Sequence, residues 1–259
     1  MKREKIPLVI LSTDSYSDLW PLIFKNIYES GILEDHFAVL VTESKEFNDF
    51  NTKTIKTGNI NWSDSVIVAV KKLIEMKYDY ALFSFDDLFI KEINLEKIFE
   101  LENISVDDNH DSLKFYSHDR PPYYNKSYGK FNVSTPYLCV FTFAFWNLRS
   151  ALKLLKPAES AWQFEYNSFK RVSHDSKHFC VYSNKVNLVN SIIKGKVDTF
   201  IMDYNNMKIE KNVLLKTREK INFLLSLRIQ FARFLLKFTY LLPNFLSSFI
   251  IKTKRKSSW

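Results

Sequence analysis

The stretch "YALFSFDDLFI" (residues 80–90) joins a strand-like run to two adjacent carboxylates, Asp86 and Asp87. The six residues before the acid pair are mostly apolar or aromatic, which is typical of a strand buried on both faces of a sheet. Directly after the pair the sequence returns to Leu88, Phe89 and Ile90. We therefore expect the two carboxylates to lie at the end of a central strand.

The segments that precede this strand alternate between strand and helix patterns. The runs "IPLVIL" (residues 6–11) and "FAVLVT" (residues 37–42) are short, apolar and rich in β-branched residues. Helical spacing follows each of them, in residues 17–30, which end before Gly31, and in residues 61–78. Such alternation predicts an α/β fold with a Rossmann-type, mainly parallel sheet flanked by helices.

Composition and charge limit the class of protein. The chain has 259 residues, of which 46% are hydrophobic and 16% aromatic, so it is globular rather than disordered. Its two cysteines, Cys139 and Cys180, lie in apolar surroundings without a CxxC spacing, which is typical of reduced thiols in the cytosol. The short apolar run near the amino terminus has no small-residue cleavage site after it, so we expect no secretion signal.

The shortage of glycine excludes several common nucleotide sites. With four glycines in all, the chain has no GxGxxG motif after its first strand and no GxxxxGK[ST] phosphate loop. HExxH and GxSxG motifs are also absent from the sequence. The acid pair is the chemical signal that remains, and ligands of open α/β sheets bind outside the carboxyl ends of the strands.

Two neighbouring carboxylates repel each other unless water, a cation or basic groups lie near them. Mg²⁺ and Mn²⁺ satisfy this need, since they favour one or two carboxylates together with the oxygens of a substrate diphosphate. The pattern thus makes Asp87 a candidate metal ligand with Asp86 beside it. The structural alternative is that either residue only caps the turn after a strand, because Asp is common in turns.

The carboxyl-terminal segment, residues 207–259, carries the basic charge of the chain. It has 12 Lys or Arg side chains against two Glu, whereas the first 206 residues have 25 basic against 27 acidic side chains. We predict two units: a catalytic domain in residues 1–206 and a helical membrane-association tail in residues 207–259. Because the tail is also rich in Phe, Leu and Ile, we expect a membrane partner and no nucleic acid.

The tail has the pattern of amphipathic helices that lie on a membrane. Asn222, Ser226, Gln230, Arg233 and Lys237 form one narrow polar stripe at helical spacing. The apolar runs are too short, or too interrupted, to span a bilayer, which needs about 20 apolar residues. The basic side chains would meet anionic headgroups, at about 1 kcal/mol each. A helix packed on the protein's own core, or a dimer helix, is the alternative.

Four short motifs, in order and at similar spacing, resemble a family of bacterial glycosyltransferases that are encoded with capsule, O-antigen and lipopolysaccharide genes. They are "LSTDSYSDLW" (residues 11–20), "NWSDSV" (residues 61–66), "YALFSFDDLFI" (residues 80–90) and "SAWQFE" (residues 160–165). The resemblance covers about residues 6–200. It implies a GT-A-like fold and a nucleotide-sugar donor. Asp86-Asp87 is not the Asp-x-Asp of the best-known GT-A enzymes, so a divalent metal is implied by analogy.

The resemblance implies roles for several residues in binding the nucleotide-sugar donor. Thr13 and Asp14 follow the first strand, where the base and ribose of the donor would lie, although Asp14 would serve equally well as a helix cap. Asp64 would contact the donor or only favour the helix dipole. Asp86 would bind the donor beside Asp87. Lys196 would stabilise the departing diphosphate, or be a solvated turn lysine.

Glu165 is the candidate general base. Inverting sugar transfer needs a carboxylate that removes the proton of the acceptor hydroxyl, on the side opposite the leaving diphosphate. Trp162 and Phe164 would form a wall against the sugar and raise the basicity of Glu165. The structural alternative is an ion pair between Glu165 and Lys170 or Arg171.

These features together predict a glycosyltransferase that moves a sugar from a nucleotide-sugar donor to a lipid-linked, lipopolysaccharide or capsule glycan acceptor. We expect it in the cytoplasm, peripheral on the inner face of the plasma membrane. The alternatives are a non-catalytic membrane-surface scaffold and a nucleotidyltransferase, although the chain lacks the glycine- and arginine-rich phosphate loop usual in the latter.

Overall fold

The computed structural model describes residues 5–116, 121–132 and 138–239. Its strands are, in chain order, β1 (Ile6–Leu11), β2 (His36–Thr42), β3 (Lys53–Lys56), β4 (Tyr80–Phe85), β5 (Leu88–Ile93), β6 (Ser112–Lys114), β7 (Tyr128–Lys130), β8 (Ala144–Asn147), β9 (His178–Val181), β10 (Val186–Asn190), β11 (Ile192–Ile193) and β12 (Lys196–Val197). Its α-helices are α1 (Trp20–Glu29), α2 (Trp62–Glu75), α3 (Leu95–Asp107), α4 (Leu148–Leu154), α5 (Ala161–Asn167), α6 (Thr199–Tyr204), α7 (Lys208–Leu214) and α8 (Phe223–Thr239).

The central sheet has the strand order β3-β2-β1-β4-β8-β6-β9-β7. The pairings from β3 to β4 are all parallel, while β8 runs antiparallel to both β4 and β6. The predicted α/β fold, a largely parallel sheet flanked by helices, is confirmed. Since β4 and β6 both run opposite to β8, they share one direction, and their carboxyl ends lie at the same edge of the sheet.

Helices cover both faces of the sheet because each presents one apolar side. Trp20, Ile23 and Phe24 of α1 pack on the face that carries Leu8 and Ile10 of β1, which we call the first face. Val66 and Val70 of α2 belong to the cluster on the opposite, second face, with Val9. Gly31, which follows α1, has φ of 79°, a left-handed conformation that glycine adopts without steric cost.

The second half of the chain differs from its sequence pattern in two places. The polar, aromatic run "HDRPPYYNKSYGKFNVSTP" (residues 118–136) is typical of a loop, but it contains the short strand β7; residues 117–120 and 133–137 lie outside the described part of the chain. The run "SHDSKHF" (residues 173–179) is typical of an exposed loop, but His178 is buried in β9, where its ring contacts the Ser112 hydroxyl at 2.8 Å. Non-local pairing explains both differences, since β9 pairs with β6 and β7 pairs with β9, and such pairing has no short-range signal.

The residues directly after position 206 contact the sheet domain. Leu214 of α7 is fully buried, and Val197 of β12 donates to Glu219 O at 2.8 Å and accepts from Ile221 N at 2.9 Å. The predicted domain boundary at residue 206 stays a prediction. The part of the chain that the structure describes contains no helix long and apolar enough to cross a membrane. The second half of the predicted tail, residues 240–259, lies outside that part.

Candidate active site

The acid pair lies where β1 and β4 end side by side. Leu11 and Phe85 are register partners, so Ser12 and Asp86 are the first residues beyond the two strands. The Ser12 hydroxyl donates a hydrogen bond to the Asp86 carboxylate and accepts one from Trp20 Nε1 at 2.7 Å. This chain of contacts holds the Asp86 side chain, which is only 6% exposed, at the sheet edge.

The environment of Asp86 opposes its ionisation. Burial raises the pKa of Asp86 to about 8, the charge of Asp87 adds to the rise, and the hydrogen bond from Ser12 acts in the opposite direction. Asp86 is therefore mostly protonated at neutral pH unless a cation binds beside it. A raised pKa of this size at a strand end is typical of a functional carboxyl group.

Asp86→Asn is expected to raise the melting temperature much more at about pH 9 than at about pH 5. Because the folded-state pKa of Asp86 is about 8 against an ordinary 3.8, the folded chain retains a proton that the unfolded chain releases, and stability falls as pH rises through this window. Asparagine carries no charge and still accepts from Ser12. We expect a shift of several degrees, at about 2–4 °C per kcal/mol.

Thermal unfolding followed by circular dichroism at both pH values measures this effect. Asp175→Asn, at an exposed position, is the matched control. An equal shift at the two pH values would contradict the assignment of the buried charge to Asp86.

Asp87 is more exposed than Asp86 and faces β10. Asn190 Nδ2 donates to Asp87 Oδ2 at 3.3 Å, while Asn190 Oδ1 is buried and has no hydrogen-bond partner among the described residues. Two carboxylates and a free amide oxygen are hard ligands of the kind Mg²⁺ and Mn²⁺ prefer. Within the described ranges, no group of three or more His, Cys, Asp or Glu side chains could hold a metal. The residues present fit a cation completed by substrate oxygens.

Arg218 lies near the acid pair, close enough for its charge to lower the pKa of Asp86. Its guanidinium donates to both carboxylate oxygens of Asp18, at 2.7 and 2.5 Å, and to the carbonyl oxygens of Ser15 and Gly195 at 3.1 Å each. It also lies over the Tyr16 ring, 4.4 Å from the ring centroid. The guanidinium thus fastens the loop after β1 to the turn between β11 and β12.

Tyr16 connects Arg218 electrostatically to the acid pair. Burial raises the pKa of the Tyr16 phenol, and the charges of Asp87 and Asp86 raise it further, while Arg218 lowers it. Tyr16 therefore keeps its proton and is able to donate it in a hydrogen bond to a ligand at this edge.

Sequence reasoning missed Arg218. It lies in a run with Lys211, Lys216 and Lys220, and no local pattern separates an arginine that forms a bidentate ion pair from these neighbouring lysines. The contact with Asp18 spans 200 residues of chain.

Thr13 and Asp14 are placed at the same edge as the acid pair; the Thr13 hydroxyl contacts Ser15 in its own loop, whereas the hydrogen bonds of Asp14 lead to the next loop. Asp14 accepts from the backbone N–H groups of Glu43, Ser44 and Lys45 at 3.1–3.2 Å. Burial would raise the pKa of Asp14, but hydrogen bonds from the Ser44 hydroxyl and these N–H groups outweigh it and lower the pKa. Asp14 thus joins the loops after β1 and β2, and Thr13 is exposed beside them.

Asp64 lies on the second face, at the start of α2. It accepts from Ala158 N at 3.1 Å, and Ser63 accepts from Glu159 N at 2.9 Å. Glu159 in turn forms a bidentate ion pair with Arg171, at 2.9 and 2.8 Å. These contacts fix the loop that leads into α5, the helix that carries Glu165.

Glu165 is partly buried on the second face of the sheet. Burial raises the pKa of Glu165 to about 7, and the charge of Lys114 acts to lower it. Lys114, at the end of β6, is only 3% exposed, and its ammonium lies 4.3 Å from the centroid of the Phe131 ring. A carboxylate with a pKa near 7 is suited to act as a general base at neutral pH.

The sequence analysis also did not identify Lys114. The pattern that could have identified it is a lysine between Leu113 and Phe115 in a short apolar strand. The alternation of side chains along a strand places Lys114 on the face opposite to these two neighbours.

The acid pair and Glu165 approach one edge of the sheet from opposite faces. Lys114 is aligned through Ala144 of β8 with Phe83 of β4, so it shares the second face with Phe83. Leu82, by contrast, belongs to the first-face cluster, and alternation continues through Ser84 to Asp86. Since one strand separates β4 from β6, the two strands lie about 10 Å apart. The described neighbours of the acid pair and those of Glu165 are different residues.

Lys196 lies at the turn that Arg218 contacts, but its side chain points to solvent. It follows Gly195, whose carbonyl oxygen accepts from Arg218. Its ammonium donates to Glu219 Oε2 at 2.6 Å, and both side chains are more than half exposed. Exposed pairs of this kind contribute at most about 1 kcal/mol, so Lys196 is easily released to another anion.

Two open hollows on the surface lie away from these groups. One is between α2 and α4, with Lys71 and Arg149 in its lining. The other lies beside β5 and β10, with Glu92 and Asn187 in its lining. Neither is lined by the acid pair or by Glu165.

Comparison with known proteins gave structural likenesses only. No protein-family model matches the chain, and no curated protein matches it either. TarS 1–349 of S. aureus in complex with UDP-GlcNAc is 11% identical with a TM-score of 0.42, and the match covers 90% of this chain and 72% of that one. A UDP-glucose pyrophosphorylase complexed with UDP-glucose is 9% identical with a TM-score of 0.48, covering 80% of this chain and 99% of that one.

The apo-form glycosyltransferase GlyE of Streptococcus pneumoniae TIGR4 is 11% identical with a TM-score of 0.40, and the match covers 99% of this chain and 64% of that one. A nucleotide sugar is bound in the first two of these structures. Since each TM-score lies below 0.5, none of the likenesses assigns an activity to this chain.

Proposed function

We propose that the chain is a glycosyltransferase that moves a sugar from a nucleotide-sugar donor to a glycan acceptor. The observation that carries the proposal is that two acidic sites with different environments, the acid pair and Glu165, lie at one edge of the sheet. The buried Asp86 and the more exposed Asp87 lie at the end of β4, and Glu165, with a pKa of about 7, lies beside β6.

The acid pair would bind the diphosphate of the donor. Asp86, Asp87 and the Asn190 amide oxygen would hold a divalent cation, which when bound would neutralise charge on the diphosphate. Tyr16 would donate a hydrogen bond to the same group. Lys196 would leave its exposed partner to meet the departing nucleoside diphosphate.

The loops after β1 and β2 would bind the nucleoside. Thr13 is exposed there, and the contacts of Asp14 with Ser44 and Lys45 fix the shape of the loops. Asp64, expected from the sequence to contact the donor, holds the loop before α5, the helix that carries Glu165. Preorganised loops of this kind lower the cost of ordering a ligand on binding.

Glu165 would act as the general base on the acceptor side. Its carboxylate would remove the proton of the acceptor hydroxyl while the hydroxyl oxygen forms a bond to the anomeric carbon. The bond from that carbon to the diphosphate breaks with its electron pair leaving on the phosphate oxygen. Attack from the side opposite the leaving group inverts the anomeric configuration.

The acceptor in this proposal is a lipid-linked, lipopolysaccharide or capsule glycan at the cytoplasmic face of the membrane. Support comes from the basic, apolar composition of residues 207–259. An enzyme held at the surface that carries its acceptor meets it at a raised effective concentration.

A thermal-shift panel of UDP-, GDP-, dTDP- and CMP-sugars, with and without Mn²⁺, tests the proposal. A donor present at about 100 times its Kd stabilises the fold by about 2.7 kcal/mol, which corresponds to a rise of about 5–10 °C in Tm. We expect one nucleotide class to produce this shift and to be hydrolysed or transferred on incubation. A chain that no member of the panel stabilises would instead be the non-catalytic scaffold.

A further inference from the structure

Helix α8 is attached to the rest of the protein through its polar side. Asp198, which is fully buried at the start of α6, accepts from Ser226 Oγ at 2.8 Å and from Gln230 Nε2 at 3.3 Å. Ser226 and Ile229 are buried on this side of α8. The described part of the helix therefore directs the polar side chains Ser226 and Gln230 inward, which is the reverse of the usual arrangement for a surface helix.

The outward side of α8 is apolar and exposed. Leu224 is 64% exposed and Phe231 61%, and Leu227 lies between them on the same side of the helix. Phe223, also exposed, extends this side to α6, since its ring lies 6.1 Å from the ring of Phe200. We call these residues the outer patch: Phe200, Phe223, Leu224, Leu227 and Phe231.

The charge around the outer patch matches an anionic lipid surface. Arg228 lies on the outward side of α8, between Leu224 and Phe231 in helical position. Residues 207–259 carry 12 basic and only two acidic side chains, and the run "KTKRK" (residues 252–256) follows in the same segment. An amphipathic helix with basic residues beside an exposed apolar side binds at the headgroup boundary of a bilayer.

We propose that the outer patch enters the surface of an anionic bilayer, and that Asp198 is the anchor that sets which side of α8 faces the lipid. This inference deepens the membrane association in the proposed function, and it does not depend on sugar transfer. The anchor spares the helix from having to turn over on binding, because its polar side is already bound by the protein. The membrane contact thereby includes a residue of α6, within the segment predicted to be catalytic.

Co-sedimentation of the full chain with vesicles tests the patch, without any nucleotide sugar present. The vesicles are phosphatidylcholine alone or phosphatidylcholine mixed with phosphatidylglycerol. We expect Leu227→Glu/Phe231→Glu to reduce binding to the anionic vesicles at least tenfold. Val68→Glu/Met76→Glu, which places the same charges at exposed apolar positions of α2 and its end, should bind as the unaltered chain does.

Several outcomes would overturn the proposal. These are equal binding by the two double variants, binding that is the same with and without phosphatidylglycerol, and a dimer in light scattering that only Leu227→Glu/Phe231→Glu dissociates. The last result would assign the outer patch to a second copy of the chain. Failure to transfer sugar with vesicle binding intact would count against the proposed enzyme alone.

Gln230→Glu tests the anchor separately, because it places a second carboxylate against Asp198 while leaving the outer patch unchanged. We expect the amides of α8 to lose protection from hydrogen exchange in solution and to regain it on anionic vesicles. Unchanged protection in solution would remove Asp198 from the role of anchor.

Discussion

Glu165→Gln should lower the rate of sugar transfer by about 10²–10⁴-fold, the usual contribution of a general base. The amide has the same shape but cannot accept the proton of the acceptor hydroxyl. The affinity for the donor, measured by thermal shift or calorimetry, should stay unchanged, because the proposed contact of Glu165 is with the acceptor hydroxyl and not with the donor. Glu96→Gln, on the exposed side of α3, is the matched control.

The pH profile makes this prediction specific. Burial holds the pKa of Glu165 at about 7, so the rate should rise with pH up to about 7 and level off above it. Lys114→Met removes the charge that lowers this pKa, and the rising limb should move to higher pH. If neither Glu165→Gln nor Lys114→Met changes the pH dependence of the rate, another group is the base.

Asp87→Asn is expected to reduce kcat/KM by about 10²–10³-fold, as is usual when one electrostatic contact to a developing charge is lost. The asparagine retains an oxygen toward Asn190 but removes the negative charge that would bind a cation. Binding of Mn²⁺ in the presence of donor, followed by electron paramagnetic resonance, should weaken in parallel. Asp175→Asn should leave both quantities unchanged.

Two results would contradict the role of Asp87. One is full activity of Asp87→Asn with an unaltered dependence on Mn²⁺. The other is a loss of activity that accompanies a general loss of stability, which the melting temperature of the variant would reveal. Asp86→Asn separates the two acids, because it alone is also expected to raise stability at high pH.

The sequence predicted the parts of this structure that depend on short-range patterns. The alternation in β1, α1 and β2 follows from periodicity, and the strand before Asp86 follows from its unbroken apolar run. The position of the acid pair at the sheet edge needed only the rule that parallel strands end together.

The parts that were missed depend on contacts between distant segments. The environment of Glu165 includes Lys114, which a different strand supplies, and the acid pair is closed by Arg218, some 130 residues further along the chain. The inward direction of Ser226 and Gln230 in α8 depends on Asp198, a buried acceptor that the helix pattern does not reveal. Amphipathic patterns identify two sides of a helix, but the side that faces the protein is decided by its neighbours.

The ion pair between Asp18 and Arg218 has a practical consequence for shortened forms of the protein. A chain that stops at residue 206 would lose more than the segment proposed to bind lipid, because the same cut strips the guanidinium from the β1 loop and uncovers the site that Leu214 fills. Inactivity of such a truncation would reflect the loss of these contacts beside the acid pair. A stop codon after Ile221 would spare both contacts, so it is the cleaner way to remove α8 and its proposed contact with the bilayer.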